Sequence, residues 1–233
     1  MSEGAIVVIG GTKGLGREVC RHYLGQGREV VLSGRDPERA AAVAAELGGK
    51  ARGIGLDLTE PDRVADALGD VGPVSYLVLS GIDRGTNSVA EFDVAQATAL
   101  ATQKLVGYIA VIHALRSRLH EDSSILLYGG QARVRPYPGS TMVSTVNGGV
   151  IGMVRTLSVE LAPVRVNSIH PGIVGDSPFW AEKPEGVLDA YESRTPGGKL
   201  ATMADIVDAV KFLLNNRGVS ATNLYVDRGW RIT

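Results

Sequence analysis

The chain alternates short apolar segments with longer segments in which apolar residues recur every three or four positions. The first apolar segment, Ala5–Gly11 (AIVVIGG), is almost entirely hydrophobic, as a strand buried on both faces of a sheet should be. The segment after it, GLGREVCRHYLGQG, places Leu15, Val19 and Tyr23 on one side of an amphipathic helix. The chain therefore opens with a predicted strand, a glycine-rich turn and a predicted helix.

This alternation continues to the end of the chain. Six further strands are predicted, at Arg28–Arg35, 51–58, Val74–Gly81, Ser123–Gly130, Val164–Gly172 and 222–229. Helices are predicted between them, at 36–47, 59–68, 88–119, 140–162 and 202–214. Because parallel strands need crossovers of about ten or more residues, the pattern predicts an α/β fold. We expect a single-domain, Rossmann-type, doubly wound parallel sheet of about seven strands with helices on both faces.

Local signals mark two helix starts and one irregular segment. Asp36 followed by Pro37 is a strong helix start, and Thr59 is the expected N-cap of the helix after the third strand. Residues 172–199 hold several prolines and glycines and are predicted to form a surface segment near the carboxyl ends of the strands. Ligand sites form there in open α/β sheets. Residues 1–233 are therefore expected to form one domain, with 172–199 on its substrate side.

Composition and charge exclude several classes of protein. With 24 basic and 25 acidic side chains among 233 residues, the chain shows no electrostatic footprint of a nucleic-acid-binding or anionic-membrane-binding protein. The single Cys20 excludes an intramolecular disulfide, and no Cys/His cluster suggests a metal site. The amino terminus lacks the pattern of a signal peptide, and no apolar run approaches the ~18 residues of a membrane span. We therefore expect a soluble, cytoplasmic protein.

The turn after the first strand carries a dinucleotide-binding pattern. In IGGTKGLG, the residues Gly10, Gly14 and Gly16 give the spacing G-x-x-x-G-x-G. Glycines permit a tight turn and let a pyrophosphate approach the helix amino terminus, where free N–H groups and the helix dipole favour anions. A turn shaped only by packing is the alternative, but the position directly after a buried strand and before a helix favours a nucleotide site.

On these residues the chain resembles the short-chain dehydrogenase/reductase family, which opens with T-G-x-x-x-G-x-G, although Ile9 replaces the Thr here. Three further segments extend the resemblance over essentially the whole chain. DLT at Asp57 resembles the family's adenine-contacting Asp, RVNSIHPG its sixth strand with a Pro-Gly turn, and VDRGW its usual V-D-G-G. The resemblance implies a bound nicotinamide dinucleotide. The residues that it implies for cofactor binding are Gly10, Thr12, Lys13, Gly14, Leu15, Gly16, Arg35, Asp57, Leu58, Pro171 and Gly172.

The end of the second strand bears on which dinucleotide is bound. In the family, NAD-preferring members usually place an acid there to bind the ribose hydroxyls, whereas this chain has Ser33, Gly34 and Arg35. Arg35 and Lys13 would suit a 2′-phosphate, which an arginine can bind through two hydrogen bonds. The alternative is that Arg35 is an ordinary surface residue and that Asp36 serves NAD, but Asp36 is better used as the helix cap. We therefore expect NADP(H).

The family's catalytic residues are replaced at four positions. As the resemblance implies, its chemistry uses a Tyr that transfers the proton, a Lys four residues later, a Ser at the end of strand five and an Asn in the preceding long helix. Alignment on RVNSIHPG puts these positions at Val143, Asn147, Gly130 and Lys104. The family's NNAG signature after strand four is also absent, in LVLSGID. The departure is concentrated in the active centre, while the cofactor half is kept.

The family's Asn position holds Lys104 here, and its Lys position holds Asn147, so the two residue types are exchanged. If both helices face the nicotinamide, the Lys104 ammonium reaches the same neighbourhood from the opposite wall. Its apolar surroundings favour burial and a shifted pKa, whereas a solvated lysine on a long helix is the alternative. Tyr137, in the loop before the helix, is a further candidate for the proton donor. We take Lys104, Tyr137 and Asn147 as the candidate catalytic residues.

Five other side chains near the same edge are weaker candidates. Tyr128 is interpreted as a packing aromatic, and Ser144 points about 100° away from the position of the family's Tyr. His170 could titrate near neutrality, although a structural histidine at a strand end is the favoured interpretation. Arg133 and Arg135 could bind an anionic substrate or be ordinary surface charges.

Three functions follow from this pattern. The first is an NADP(H)-dependent oxidoreductase with a rearranged active site, acting on a small-molecule carbonyl, imine or activated alkene, with the hydride supplied by the cofactor. The alternatives are a catalytically inactive NADP(H)-binding protein, acting as a sensor or a partner subunit, and a non-redox enzyme on the same fold. The resemblance also implies a homodimer or homotetramer packed through the long helices that contain Lys104 and Val143.

Overall fold

The computed structural model describes residues 4–83, 85–184 and 186–233. At its centre lies a parallel sheet of seven strands in the order β3-β2-β1-β4-β5-β6-β7. The strands are β1 Ala5–Ile9, β2 Val30–Gly34, β3 Ala51–Gly55, β4 Val74–Leu79, β5 Leu119–Tyr128, β6 Arg165–Pro171 and β7 Asn223–Val226. The predicted parallel α/β fold of about seven strands is confirmed.

Helices cover both faces of the sheet. They are α1 Gly14–Gly25, α2 Pro37–Leu47, α3 Val64–Ala67, α4 Val94–Ala101, α5 Gly107–Leu115, α6 Thr141–Glu160, α7 Pro178–Ala181, α8 Val187–Glu192 and α9 Met203–Asn215. One apolar core lies between the sheet and α1, α2 and α9, and a second lies between the sheet and α3, α5 and α6. Both cores draw on β1, because successive strand side chains point to opposite faces. Ile6 and Val8 enter the first core and Val7 and Ile9 the second, which explains the continuous apolar run of this strand.

The two predicted helix caps have different outcomes. Asp36 caps α2 as predicted, since its carboxylate accepts hydrogen bonds of 2.9 and 3.1 Å from two backbone N–H groups of the first turn. The prediction that Thr59 caps the next helix is wrong. The backbone N–H and hydroxyl of Thr59 both donate to Asp57 Oδ1, at 2.8 and 2.7 Å. Because Asp57 captures this hydroxyl, the chain passes through a 3₁₀ turn at Pro61–Arg63 before α3 begins.

The long helical region is shorter and less regular than predicted. It begins at Val94, where the Asp93 side chain accepts a hydrogen bond from the backbone of Gln96 at 3.0 Å. A π-helix at Thr102–Val106 separates α4 from α5, and β5 already begins at Leu119. The whole region, residues 94–118, is long and apolar enough to cross a membrane by length and composition alone. With 44% of its most apolar window buried, it also fits a helix that packs on a protein core, which passes the same test.

The strand order determines where a ligand crevice can form. All strands are parallel, so their carboxyl ends meet at one edge of the sheet. The order reverses between β1 and β4, and such a switch point opens a crevice at that edge. The segment 172–199 contains the short helices α7 and α8, of which no described residue is buried. Val174, Ser177 and Thr195 of the same segment are buried, and its role on the substrate side stays a prediction.

Candidate functional site

The glycine turn packs directly onto the switch point. Gly10 and Gly14 have φ angles of 88° and 53°, in the left-handed region that favours glycine. A Cβ atom on Gly16 would lie 2.3 Å from the Gly10 carbonyl oxygen, and one on Gly10 would lie 2.6 Å from Cα of Gly81, after β4. The first turn of α1, all of which the structure describes, has no capping side chain and no acidic residue. Its N–H groups and dipole therefore favour an anion at this turn.

The end of β2 is closely packed against the glycine turn at Ser33 and Gly34. Ser33 is buried, and its hydroxyl accepts a hydrogen bond from the Gly10 backbone N–H at 3.2 Å. A Cβ atom on Gly34 would lie 2.7 Å from Cγ2 of Thr12, so a side chain at this position would require Thr12 to move. The nearest downstream acid, Asp36, caps α2.

Arg35 lies at the mouth of an open cleft of about 320 Å³ beyond the end of β2. The cleft is also lined by Asp57 and by a second guanidinium, that of Arg63. Arg35 forms an exposed ion pair with Asp83 at 2.9 Å, a contact that is weak in water and easily exchanged for another anion. Arg63 is likewise in an exposed ion pair, with Glu60 at 3.2 Å, which also lines the cleft.

The other predicted cofactor residues lie at the same edge of the sheet. Leu58 is buried, and its carbonyl oxygen packs against Gly107 at the start of α5. Pro171 ends β6, and the Gly172 backbone N–H donates to the Val226 carbonyl at 3.0 Å. A Cβ atom on Gly172 would lie 2.7 Å from that of Asp227. The structure thus gathers the predicted set at one edge, and its binding role stays a prediction.

Lys104 lies in the π-helix and is completely buried, with 0% of its surface exposed. Its ammonium donates to the Tyr108 hydroxyl at 3.1 Å and to the Tyr128 carbonyl oxygen at the end of β5. Tyr108 in turn donates to the Gly81 carbonyl at 3.0 Å. Lys104 therefore joins the carboxyl ends of β4 and β5. Tyr108 is not among the residues predicted from the sequence, although its spacing of four from Lys104 indicates one helix face.

Asn147 fills the space beside Gly130. The Asn147 side chain is only 3% exposed, and its Nδ2 lies 2.7 Å from the place where a Cβ atom on Gly130 would be. Its Oδ1 is buried and has no hydrogen-bond partner within the described residues. One turn earlier on α6, Val143 is buried in a small apolar cluster with Leu100 and Val146. This wall therefore offers one buried acceptor and no proton donor at position 143.

His170 is a buried, neutral histidine. Its pKa is lowered from 6.5 to about 4, chiefly by burial and also by the nearby Arg133 and Lys104 cations, while hydrogen bonds with Asn223 and the Gly130 backbone act in the opposite direction. Its Nδ1 accepts a hydrogen bond from the Gly130 backbone N–H at 3.2 Å. The ring is therefore uncharged at neutral pH, which agrees with the structural interpretation and not with titration near neutrality.

The two arginines after β5 contact aromatic rings of the carboxyl-terminal segment. The Arg133 guanidinium donates to the Tyr225 hydroxyl and lies 5.0 Å from that ring, whose surroundings also include Arg231 at 4.1 Å. Arg135 lies 4.3 Å from the Trp230 ring and donates to the Trp230 carbonyl. These cation–π contacts fix the loop after β5 to β7 and to the segment that follows it.

The remaining candidates are divided between the surface and the interior. Tyr137 is 57% exposed in the loop before α6. Tyr128 is buried, and burial raises the pKa of its phenol, as expected of a packing aromatic. The Ser144 hydroxyl donates to the backbone carbonyl of residue 132 at 2.9 Å. Of the three predicted catalytic residues, Lys104 and Asn147 are thus buried at the sheet edge and Tyr137 lies at the surface.

Within the described part of the chain, this edge carries no sign of thiol or metal chemistry. Cys20 is buried in α1, and burial raises the pKa of its thiol to about 12. Over residues 4–83, 85–184 and 186–233, no group of three or more His, Cys, Asp or Glu side chains is placed to hold a metal ion.

Comparison with known proteins defines the class of protein. A family model described as enoyl-(acyl carrier protein) reductase matches residues 10–231. The sheet, the glycine turn at its switch point and this match define an oxidoreductase fold, and the chain belongs to the short-chain dehydrogenase/reductase family.

Relatives in this family match the chain over nearly its whole length. The 3-oxoacyl-[acyl-carrier-protein] reductase of Mus musculus is 27% identical over 233 residues, with 97% of each chain covered. A subunit of (2S)-[(R)-hydroxy(phenyl)methyl]succinyl-CoA dehydrogenase from Thauera aromatica is 28% identical, covering 96% of this chain and 94% of its own. The crystal structure of a short-chain dehydrogenase/reductase from Brucella melitensis superposes with a TM-score of 0.90 at 26% identity, covering 98% of this chain and 96% of that one.

Proposed function

We propose that this chain is an NADP(H)-dependent oxidoreductase with a rearranged active site that reduces a small-molecule carbonyl, imine or activated alkene. The observation that carries the proposal is the glycine turn at the β1–β4 switch point, where Gly16 packs on Gly10 and Gly10 on Gly81 without space for a side chain. This is the place at which open α/β sheets bind dinucleotides. Relatives whose names include reductase and dehydrogenase support the redox assignment.

The residues present fit a nicotinamide dinucleotide phosphate. The first turn of α1 would hold the pyrophosphate, and Asp57, Leu58, Pro171 and Gly172 at the ends of β3 and β6 would line the rest of the cofactor. Arg35, with its weak surface ion pair, would bind the 2′-phosphate. Preference over NAD(H) is supported by the end of β2, where Ser33 is buried and a side chain at position 34 would meet Thr12.

The chain's own side chains would orient the substrate more than they would donate a proton. When bound, the cofactor supplies the hydride. Val143 has no proton to give, and the fully buried Lys104 acts through the strand ends that it joins. Asn147 Oδ1, which has no hydrogen-bond partner among the described residues, would accept a hydrogen bond from a ligand hydroxyl or amide. Tyr137, exposed on the loop before α6, would be the proton donor that the sequence predicts.

The absence of a proton donor at position 143 favours substrates that need little proton donation. A general acid contributes typically about 10²–10⁴-fold to a proton-transfer reaction. A cationic iminium or an activated alkene needs this contribution less than a simple ketone does. The segment 172–199, joined to the start of α9 by the Val174–Ala201 bridge, would cover the substrate.

One observation favours a second function. Val143 packs in an apolar cluster with Leu100 and Val146, so the position of the family's proton donor is part of the core. A catalytically inactive NADP(H)-binding protein, acting as a sensor or partner subunit, does not need a proton donor at this position, so a buried valine there would not impair it. A non-redox reaction in the same cavity is the remaining alternative.

Assembly and location are part of the same proposal. We expect a cytoplasmic homodimer or homotetramer packed through the long helices α4–α5 and α6. The exposed Val94, Val106 and Ile109 on α4, the π-helix and α5 support this contact surface.

Cofactor choice is tested by titration with NADPH and NADH. Replacing Arg35 by Ala should raise the Kd for NADPH about 10- to 100-fold, because a hydrogen bond to a charged group is worth about 1.5–3 kcal/mol. The Kd for NADH should not change. Arg39→Ala removes a charge from the exposed face of α2 and is the matched control. Tighter binding of NADH than of NADPH by the unchanged protein would overturn the assignment.

Catalysis is tested by single-turnover absorbance of the reduced nicotinamide with a panel of ketones, imines and enones. Loss of the absorbance with one class supports the oxidoreductase and names its substrate class. Tight NADPH binding without loss with any class supports the inactive or non-redox alternatives. Absence of binding of either dinucleotide contradicts the oxidoreductase and the inactive NADP(H)-binding protein and leaves the non-redox enzyme.

A further inference from the structure

We infer that His170 is a positioning residue that holds the turn Gly129–Gln131 at the end of β5 through its neutral Nε2–H tautomer. The inference rests on the proposed function, because this turn carries the wall of the crevice against which Asn147 packs.

Two hydrogen bonds and one close contact join His170 to this turn. Its Nδ1 accepts from the Gly130 backbone N–H at 3.2 Å. Its own carbonyl oxygen accepts from the Gln131 side-chain amide at 3.0 Å. The close contact is at Gly129, where an added Cβ atom would lie 2.2 Å from the imidazole Nδ1. The ring therefore fills the space over Gly129, and the turn is fixed on both sides.

The hydrogen-bond partners define the tautomer. A backbone N–H can only donate, so Nδ1 is the unprotonated acceptor and the proton is on Nε2. Nε2 lies 3.2 Å from the Asn223 amide oxygen and 2.9 Å from the Ser168 hydroxyl. The Ser168 hydroxyl donates its own hydrogen to the same Asn223 amide oxygen at 2.7 Å. The lone pairs of the Ser168 oxygen are therefore free to accept a hydrogen bond from Nε2. The Nε2–H of His170 and the hydroxyl hydrogen of Ser168 therefore each have an acceptor.

The charges that face the ring favour the neutral form. His170 is completely buried, and the cations that act on it are Lys104, from the π-helix, and Arg133, from the turn after Gly130. Protonation of Nδ1 would also replace the hydrogen bond from Gly130 by a repulsive contact, because the Nδ1–H and the Gly130 N–H are both donors. The ring therefore remains a hydrogen-bond acceptor for Gly130 at neutral pH.

Loss of this acceptor should move the turn without removing the cofactor site. Gly130 lies against the Asn147 amide, so a displaced turn changes the wall beside the reacting atoms. The glycine turn after β1 lies elsewhere along the edge and should still bind the dinucleotide. We therefore expect an effect on kcat and not on the Kd for NADPH.

The test compares His170→Asn with His170→Leu. An Asn side chain places an amide oxygen near the position of Nδ1 and can accept from Gly130, whereas Leu cannot. We expect Leu to lower kcat by about 10- to 100-fold, the size of effect that a small displacement near reacting atoms produces, and Asn to recover most of it. His22→Leu, at a half-buried site in the last turn of α1, is the control and should leave kcat unchanged.

Two measurements are independent of turnover. Nitrogen-15 NMR of the histidine ring should show the Nε2–H tautomer without titration between roughly pH 5 and 8. Amide hydrogen exchange at Gly130 should be faster in the Leu variant and close to native in the Asn variant, with urea unfolding reported for each. If the native protein turns over no substrate, the proposed function fails while these data still decide the inference. An Nδ1–H tautomer, titration near neutrality, or equal exchange at Gly130 in the Leu variant and the native protein would overturn it.

Discussion

Replacing Gly130 by Ser tests whether Asn147 excludes a side chain from the position predicted to correspond to the family's serine. The Gly130 backbone has φ 177°, an extended conformation that any residue adopts, so no backbone strain is expected. The obstacle is the Asn147 side chain, whose Nδ2 and Cγ would lie 2.7 and 3.3 Å from the new Cβ. Asn147 is buried on α6 and cannot swing into solvent. Gly130→Ser should therefore destabilise the fold by about 1–3 kcal/mol, the usual cost of overpacking.

The decisive measurement is a double-mutant cycle with Asn147→Ala, followed by urea unfolding with far-ultraviolet circular dichroism. Removing the Asn147 amide opens the space that the introduced serine side chain needs, so the cost of Gly130→Ser in that background should fall below about 0.5 kcal/mol. A coupling energy of at least about 1 kcal/mol is expected for two residues in direct contact. If the two changes add within about 0.5 kcal/mol, Asn147 does not occupy this space and the reasoning is refuted.

A control on the same helix separates steric conflict from a general effect of losing glycine. Gly148 follows Asn147 on α6, and among the described residues no atom outside its chain neighbours and the surrounding helix backbone lies within 4 Å of the place that its Cβ would take. Gly148→Ala should therefore stabilise the protein by about 0.5–1 kcal/mol through helix propensity alone.

Three further predictions concern stability and binding. Asp36→Ala removes the cap of α2 and should cost about 0.5–2 kcal/mol in urea unfolding, whereas no change would show that the cap is unimportant. His170 has a folded pKa of about 4, below its free value of 6.5, so the unfolded chain binds the proton more tightly. Its contribution is fully present above pH 6.5 and is lost as the pH falls to about 4, at a cost of up to about 3 kcal/mol. His170→Asn should flatten the stability profile in this window, and an unchanged slope would contradict the assignment. Gly16→Ala should abolish dinucleotide binding, measured by NADPH fluorescence, because its Cβ would meet the Gly10 carbonyl at 2.3 Å.

The elements that the sequence predicts well are those with short-range causes. The apolar run of β1 is readable because this strand is buried on both faces, and the cap of α2 is readable because Asp36 and Pro37 act on the next turn. The glycine turn belongs to the same group, since positive φ angles at Gly10 and Gly14 require this residue type. The helix boundaries that differ from the prediction are also explained by local interactions. Asp57 takes the Thr59 hydroxyl from its predicted helix, and the π-helix breaks a periodicity that reads as one continuous helix.

The amino-acid sequence by itself therefore determined the strand and helix pattern and the glycine turn, because each depends on residues within a few positions of one another. The length of the crossovers between predicted strands determined that the sheet is parallel. Only the tertiary structure decided what the candidate residues contact. Lys104 reaches the Tyr128 carbonyl 24 positions away, and His170 accepts from Gly130 across 40 positions. Asn147 takes the space beside Gly130 because two separate elements meet there. Burial and charge at these meeting points come from the packing of distant segments, which no local pattern records.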